Sequence, residues 1–261
     1  MNDRSDGNSF FFPPIDGSEA MHAHIVHAHP EPASYNGALT RTACDALSDQ
    51  GASVSVSDLY ASGFDPVERG AHYADRLDPD SFAPLAEQRH ASRGSTLAPE
   101  ISREIAALER ADLLILQFPL WWHGPPAILK GWMDRVFVNG GLYTSRMRYD
   151  RGYFRGRRAI VSMTTGAPRE AFGPGGRGGD IDTMLWPIHY SLHYLGFSVL
   201  PPFLSHGIQG HGFRYAEDDA LHAMLTRNLQ SWRERLQTLD AHASLDFPGW
   251  DDWGALGEAI R

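Results

Sequence analysis

The chain carries one cysteine, Cys44, in 261 residues, so an intrachain disulfide and a cysteine-rich metal site are both excluded. Long apolar runs are missing as well: none approaches the ~18 residues a membrane-spanning helix needs. The apolar patch near the start, FFFPPI, is short, broken by proline and preceded by two acids and one arginine. That is not the layout of a secretory leader, and the expected location is cytoplasmic. The glycine fingerprint GxGxxG does not follow the first strand pattern, and the glycine-rich run GPGGRGG (Gly173 to Gly179) lacks the GK[ST] ending of a phosphate loop. Basic charge is in deficit too. A formal net charge of −9 argues against a protein that grips nucleic-acid phosphates.

What is present is the patterning of one large α/β domain. Residues 1–20 read as a flexible polar tail and residues 240–261 as an appended tail, packed on a neighbour or disordered. Between them, residues 21–239 alternate strand and helix patterns. Strands are predicted at Ala23–Ala28, Ser53–Ser57, Leu113–Phe118, Ala159–Met163 and Phe197–Leu200. Helices are predicted from Ser34, a capping residue, to near Gly51, then at Pro99–Arg110, Pro126–Val138, Ile181–Leu195 and Glu217–Leu239. Tyr60 to Ala98 reads as a long connection without secondary structure. Such alternation implies a doubly wound parallel sheet of five strands with helices on both faces, in the flavodoxin-like order 2-1-3-4-5.

In an open sheet of this kind ligands sit outside the carboxyl ends of the strands. The third strand pattern ends there in QFPLWWHGPP, which places Trp121, Trp122 and His123 on a rigid loop able to face a flat aromatic cofactor. The first strand ends in HPEPASYN, where Ser34, Asn36 and the N–H groups of a helix start form a candidate phosphate site. Thr164, Thr165, Gly166 and Ala167 follow the fourth strand and offer two hydroxyls and close backbone approach. A competing reading takes the histidines of HAHIVHAH as metal ligands of a hydrolase, but His27 falls on the strand face opposite His22 and His24. No metal is expected. Six arginines between Arg146 and Arg158 form a basic cluster that either attracts a small anion or faces solvent.

Four ordered blocks carry a resemblance: HAHPEPASYNGAL, SDLYASGFDP, FPLWWHGPPAILKGWMDRVF and TTGAPREAFGPGGRGGDIDTMLWPI. Over roughly Ala23 to Ile208 the chain resembles the NAD(P)H:quinone oxidoreductases of the DT-diaphorase group, which have a flavodoxin-like fold. The resemblance implies FAD as cofactor, NADH or NADPH as co-substrate, a quinone or similar acceptor, two-electron ping-pong hydride transfer, and a homodimer. It puts the flavin pyrophosphate at His29, Ser34, Tyr35 and Asn36. The ring contacts fall at Pro119, Leu120, Trp122 and His123, and the pyrimidine end at Thr164 to Ala167. Tyr143 matches a substrate-side tyrosine. Three departures stand out: Ser145 replaces a second tyrosine, and Phe172 and Gly178 replace a tyrosine and a histidine proposed to relay charge. Arg177, beside Gly178, is the expected substitute. The ancillary proteins of potassium efflux systems share this fold, so a flavin-binding regulatory subunit is the alternative.

Overall fold

The central strand explains the rest of the architecture. In the computed structural model, which describes residues 20–209 and 216–260, β3 (Leu113–Pro119) is buried along its whole length. It pairs in parallel with β1 (His22–His27) on one side and β4 (Arg158–Thr164) on the other. A strand covered on both faces must be apolar throughout, which is why LLILQFP does not alternate. Outward from this centre β1 pairs with β2 (Ser53–Asp58), and β4 pairs with β5 (Ser198–Val199), giving the predicted order β2-β1-β3-β4-β5.

A sixth segment joins the five strand positions. β6 (Phe203–Ser205) also pairs with β4, further along the same edge as β5. Pro201 and Pro202 lie between the two segments, and neither can donate to a ladder, so one strand position is broken in two.

The sheet separates two cores. Val26, Leu114, Leu116, Phe118, Val161 and Met163 point to the face covered by α3 (Pro99–Arg110), α4 (Ala127–Val136) and α5 (Ile181–Tyr194). Their neighbours Ile25, Leu113, Ile115 and Ile160 point to the face covered by α1 (Tyr35–Ser48) and α6 (Asp218–Gln237). Trp232 bolts the latter pair together, its indole N–H donating to Leu39 O at 3.1 Å.

The connection from Tyr60 to Ala98 is ordered, contrary to expectation. It contains α2 (Pro84–Gly94), whose buried face is Glu87, Gln88 and Ala91. Glu87 is the anchor. Its carboxylate accepts from Arg76 Nε at 2.8 Å and from Leu77 N at 2.9 Å, and these bonds hold the carboxyl pKa below the ordinary range. A helix whose inner face is polar carries no 3.6-residue apolar period to read.

The C-terminal segment packs on its own chain. Tyr149 meets the rings of Trp250 and Trp253 at 5.8 and 4.6 Å, and His193 stacks on Phe247 at 5.0 Å. Trp250 Nε1 donates to Arg148 O at 3.1 Å, and the Arg148 guanidinium lies 5.4 Å from the Trp250 ring. The basic cluster is largely consumed in such contacts: Arg151 pairs with Asp251, Arg157 with Asp112, and Arg158 with Asp240. Trp250→Ala should therefore lower unfolding stability by about 1–2 kcal/mol, measured by urea denaturation. An unchanged midpoint would mean that the segment contributes nothing to the folded state.

Candidate active site

The first wall of the site is the turn from β1 into α1. Ser34 is the N-cap in extended conformation, and its hydroxyl accepts from Gly37 N at 3.2 Å. That leaves the first-turn N–H groups of Tyr35 and Asn36, which have no intrahelical acceptor, at the positive end of the helix. The loop is stiffened by its own side chains. His29 Nδ1 accepts from Glu31 N at 3.0 Å, and Glu31 accepts from Ala33 N at 2.8 Å. A Cβ at Gly37 would come within 2.2 Å of Pro32 O, so only glycine lets the loop fold back on the helix. The Tyr35 side chain turns elsewhere: its hydroxyl donates to Leu225 O at 3.0 Å and ties α1 to α6.

The second wall follows β3. Leu120 N donates to Thr164 O at 2.8 Å, which fixes the loop against the end of β4. Trp121 and Gly124 then exchange both backbone hydrogen bonds, at 3.0 and 3.1 Å, and close a two-residue turn. Its central residues have positive φ, 50° at Trp122 and 61° at His123. A turn of this shape ordinarily takes Asn-Gly, because positive φ strains residues with a Cβ. Here two large rings occupy it, and Trp122 is 97% exposed. Strain of this kind persists where a site requires it. The His29 and Trp121 rings lie 6.2 Å apart, so the first two walls meet.

The third wall follows β4. Buried Thr164 accepts at Oγ1 from Asn36 Nδ2 at 3.0 Å. Thr165 Oγ1 donates to Ala167 O at 2.8 Å, so the 3.0 Å contact with His206 must be donated by the histidine's Nδ1. Burial lowers the His206 pKa, and the nearby Arg169 guanidinium acts in the same direction. The β-type bonds in this region use Thr165 N and Ala167 O, not the N–H groups of Gly166 and Ala167. At Gly166 a Cβ would meet only Ile208 O, at 3.9 Å, so the backbone there is open to a ligand. Sequence reading missed His206, although Ser-His-Gly directly after a proline-broken edge strand was a usable signal. It missed Gln117 too, the one polar side chain in an otherwise apolar strand.

The glycine run forms a hydrogen-bonded turn. Gly173 N donates to Gly179 O at 3.0 Å and Gly178 N to Ala171 O at 2.8 Å. Gly173, Gly175 and Gly179 have φ of 124°, 80° and 81°. The Phe172 ring packs 5.4 Å from that of His206, and a Cβ on Gly179 would lie 3.9 Å from His123 Cδ2. The turn therefore abuts the aromatic hairpin, with Arg177 exposed upon it. Tyr143 is not brought to these walls within its own chain. It packs edge-on against Tyr194 at 5.4 Å, and burial raises its hydroxyl pKa.

The N-terminal histidines serve the sheet. Buried His24 bonds Ser55 at 2.8 Å, and His22 bonds Ser53 and Ser55 at 2.6 and 3.0 Å. Desolvation brings the His24 pKa down to about 4. Among the described residues no group of three His, Cys, Asp or Glu side chains could hold a metal ion, and no helix is long and apolar enough to cross a membrane.

A helix start for phosphate, an exposed aromatic rim and open backbone N–H groups converge at the C-terminal ends of β1, β3 and β4. This donor set fits a flavin: an anionic tail, a flat ring and a polar pyrimidine edge. The profile of the flavodoxin-like fold family matches residues 21–231. The chain is 42% identical over 217 residues to NAD(P)H dehydrogenase [quinone] 1 of Cavia porcellus, covering 82% of this chain and 76% of the relative. It is 40% identical over 217 residues to ribosyldihydronicotinamide dehydrogenase [quinone] of Homo sapiens, covering 82% and 90% respectively. A crystal structure from Klebsiella pneumoniae, assigned as a quinone reductase, superposes with a TM-score of 0.80 at 33% identity, over 90% of this chain and 92% of that one. The chain belongs to the flavodoxin-like family and, within it, to the NAD(P)H dehydrogenase [quinone] group.

The turn geometry yields a test. Replacing Trp122→Asn together with His123→Gly should stabilise the cofactor-free protein by about 1 kcal/mol while weakening flavin binding. Thermal or urea unfolding showing no gain would mean that the turn is relaxed with its native residues.

Proposed function

We propose that this chain is an FAD-dependent dehydrogenase that oxidises NADH or NADPH and reduces a quinone or similar acceptor by two electrons in a ping-pong cycle. The observation that carries this reading is the strained hairpin, which holds Trp122 out at the strand ends beside an anion-binding helix start. The names of the relatives supply the co-substrate and acceptor classes.

When bound, the flavin supplies the hydride chemistry, and the protein supplies position and charge. The N–H groups of Tyr35 and Asn36, with Ser34, would hold the phosphates, and His29 would close that end. Pro119, Leu120, Trp122 and His123 would flank the ring and exclude water from it. The free N–H groups of Gly166 and Ala167, beside Thr164 and Thr165, would donate to the pyrimidine edge, where negative charge accumulates on reduction. Tyr143 makes its ring contact with Tyr194, away from these walls. A place for it beside the acceptor is one reached from a second copy, in keeping with a homodimer. Exposed Trp122 and half-exposed Trp186 are apolar surface that a cofactor and a second copy would cover.

The reading is tested by reconstitution with FAD or FMN and by turnover of NADH or NADPH with a quinone. FAD should bind more tightly. Trp122→Ala should raise its dissociation constant several-fold, and more than Trp121→Ala does, because ring stacking is worth ~1 kcal/mol. Equal, negligible effects would remove the ring assignment. Bound flavin without quinone turnover would favour the regulatory-subunit alternative.

Arg177, exposed on the glycine turn, is proposed to offset negative charge on the reduced acceptor, in place of the relay that Phe172 and Gly178 cannot perform. Arg177→Ala should slow the oxidative half-reaction in stopped flow and leave flavin affinity unchanged. Identical traces in both half-reactions would assign the side chain to solvent.

A further inference from the structure

Gln117 is the one polar side chain of β3, and it is 1% exposed. In the parallel register it stands between His27, the last residue of β1, and Ser162, two residues before the end of β4. Its Nε2 donates to Asn36 Oδ1 at 2.8 Å, and Asn36 Nδ2 donates to Thr164 Oγ1 at 3.0 Å. Gln117 Oε1 is buried without a partner, so the bond to Asn36 is the only one this amide makes among the described residues.

The direction of these bonds has a consequence for the site. An amide has one acceptor end and one donor end. Because Gln117 occupies the Oδ1 of Asn36 with a donor, Asn36 must offer its Nδ2 to Thr164. Thr164 Oγ1 therefore receives a hydrogen from within the protein, and its own hydroxyl hydrogen is left to give away. Were both amides turned over, Thr164 would have to donate inward and would face the site as an acceptor only. Gln117 would then leave its Nε2 hydrogens buried without any acceptor, which is less tolerated than the unpaired Oε1 of the present arrangement.

We infer that Gln117 is a positioning residue, which sets the polarity of the Asn36–Thr164 chain so that the Thr164 hydroxyl is held as a hydrogen-bond donor to the cofactor. The inference rests on the flavin reading above. Gln117 touches no ligand itself. It acts through two residues on two other elements, and it links the helix-start wall to the β4 wall beneath the floor of the site.

A double-mutant cycle read by flavin fluorescence titration tests this. Gln117→Met keeps the volume and removes the donor, and it should raise the flavin dissociation constant about 10-fold, with an unchanged circular dichroism spectrum. In a Thr164→Val background the same substitution should have almost no further effect, because the hydroxyl it orients is gone. Gln117→Glu supplies an acceptor where a donor is needed and should weaken binding at least as much at neutral pH. Lowering the pH until that carboxylate is protonated should recover affinity, since a protonated carboxyl can donate again. An unchanged dissociation constant in Gln117→Met, or a loss undiminished by Thr164→Val, would overturn the inference. Wild-type protein that binds no flavin would instead overturn the flavin reading, which is a different result.

Discussion

Because β3 is buried on both faces and hydrogen-bonded on both edges, nothing can be recognised along its length. Its main chain is spent on β1 and β4, and its side chains on the two cores. Only its C-terminal end is open. The strand closes there in a proline that starts a rigid loop, and β1 and β4 end at nearly the same level on either side. The three loops meet because three parallel strands in register deliver them to one place, and Leu120 N reaching Thr164 O fixes two of them directly. Site geometry is thus a consequence of sheet register more than of any loop's own preference.

The parts of this arrangement readable from sequence are those governed by local rules. Ser34 as a helix cap, the strand order, and the placing of Trp121, Trp122 and His123 at a strand end all follow from short-range patterns. Helix α2 was not readable, since its inward residues are Glu87 and Gln88, and what satisfies Glu87 is Arg76, which lies outside the helix. Nor was the docking of residues 245–253, whose partners Arg148 and Asp150 lie about a hundred positions upstream. Positive φ at Trp122 and His123 contradicts residue preference and becomes visible only in three dimensions. His24 illustrates the same limit: polar residues look exposed until serines on the next strand supply their hydrogen bonds.

The arginine cluster was legible as charge but not as function. Arg148 sits among Tyr149, Tyr194 and Trp250, and its guanidinium donates to the Tyr194 hydroxyl at 3.0 Å. The same Tyr194 is the ring against which Tyr143 rests. Cations that resembled an anion-binding patch thus act as fasteners between the C-terminal segment and the tyrosine cluster. Charge counts alone do not separate the two uses; the acidic partners Asp251, Asp112 and Asp240 do.

The broken strand position also limits what could pair with this edge of the sheet. Along the β5–β6 edge, Pro201 and Pro202 present no N–H, the carbonyl of Pro201 is taken by Arg235 at 3.0 Å, and that of Val199 by Leu245 N at 2.7 Å. An incoming strand would find no donor at either proline and would find the Val199 and Pro201 carbonyls already taken, so this stretch disfavours the strand-on-strand addition that seeds aggregates. At these residues side chains, whose fit is specific, are what a neighbouring chain would meet in place of main-chain pairing, which accepts nearly any partner.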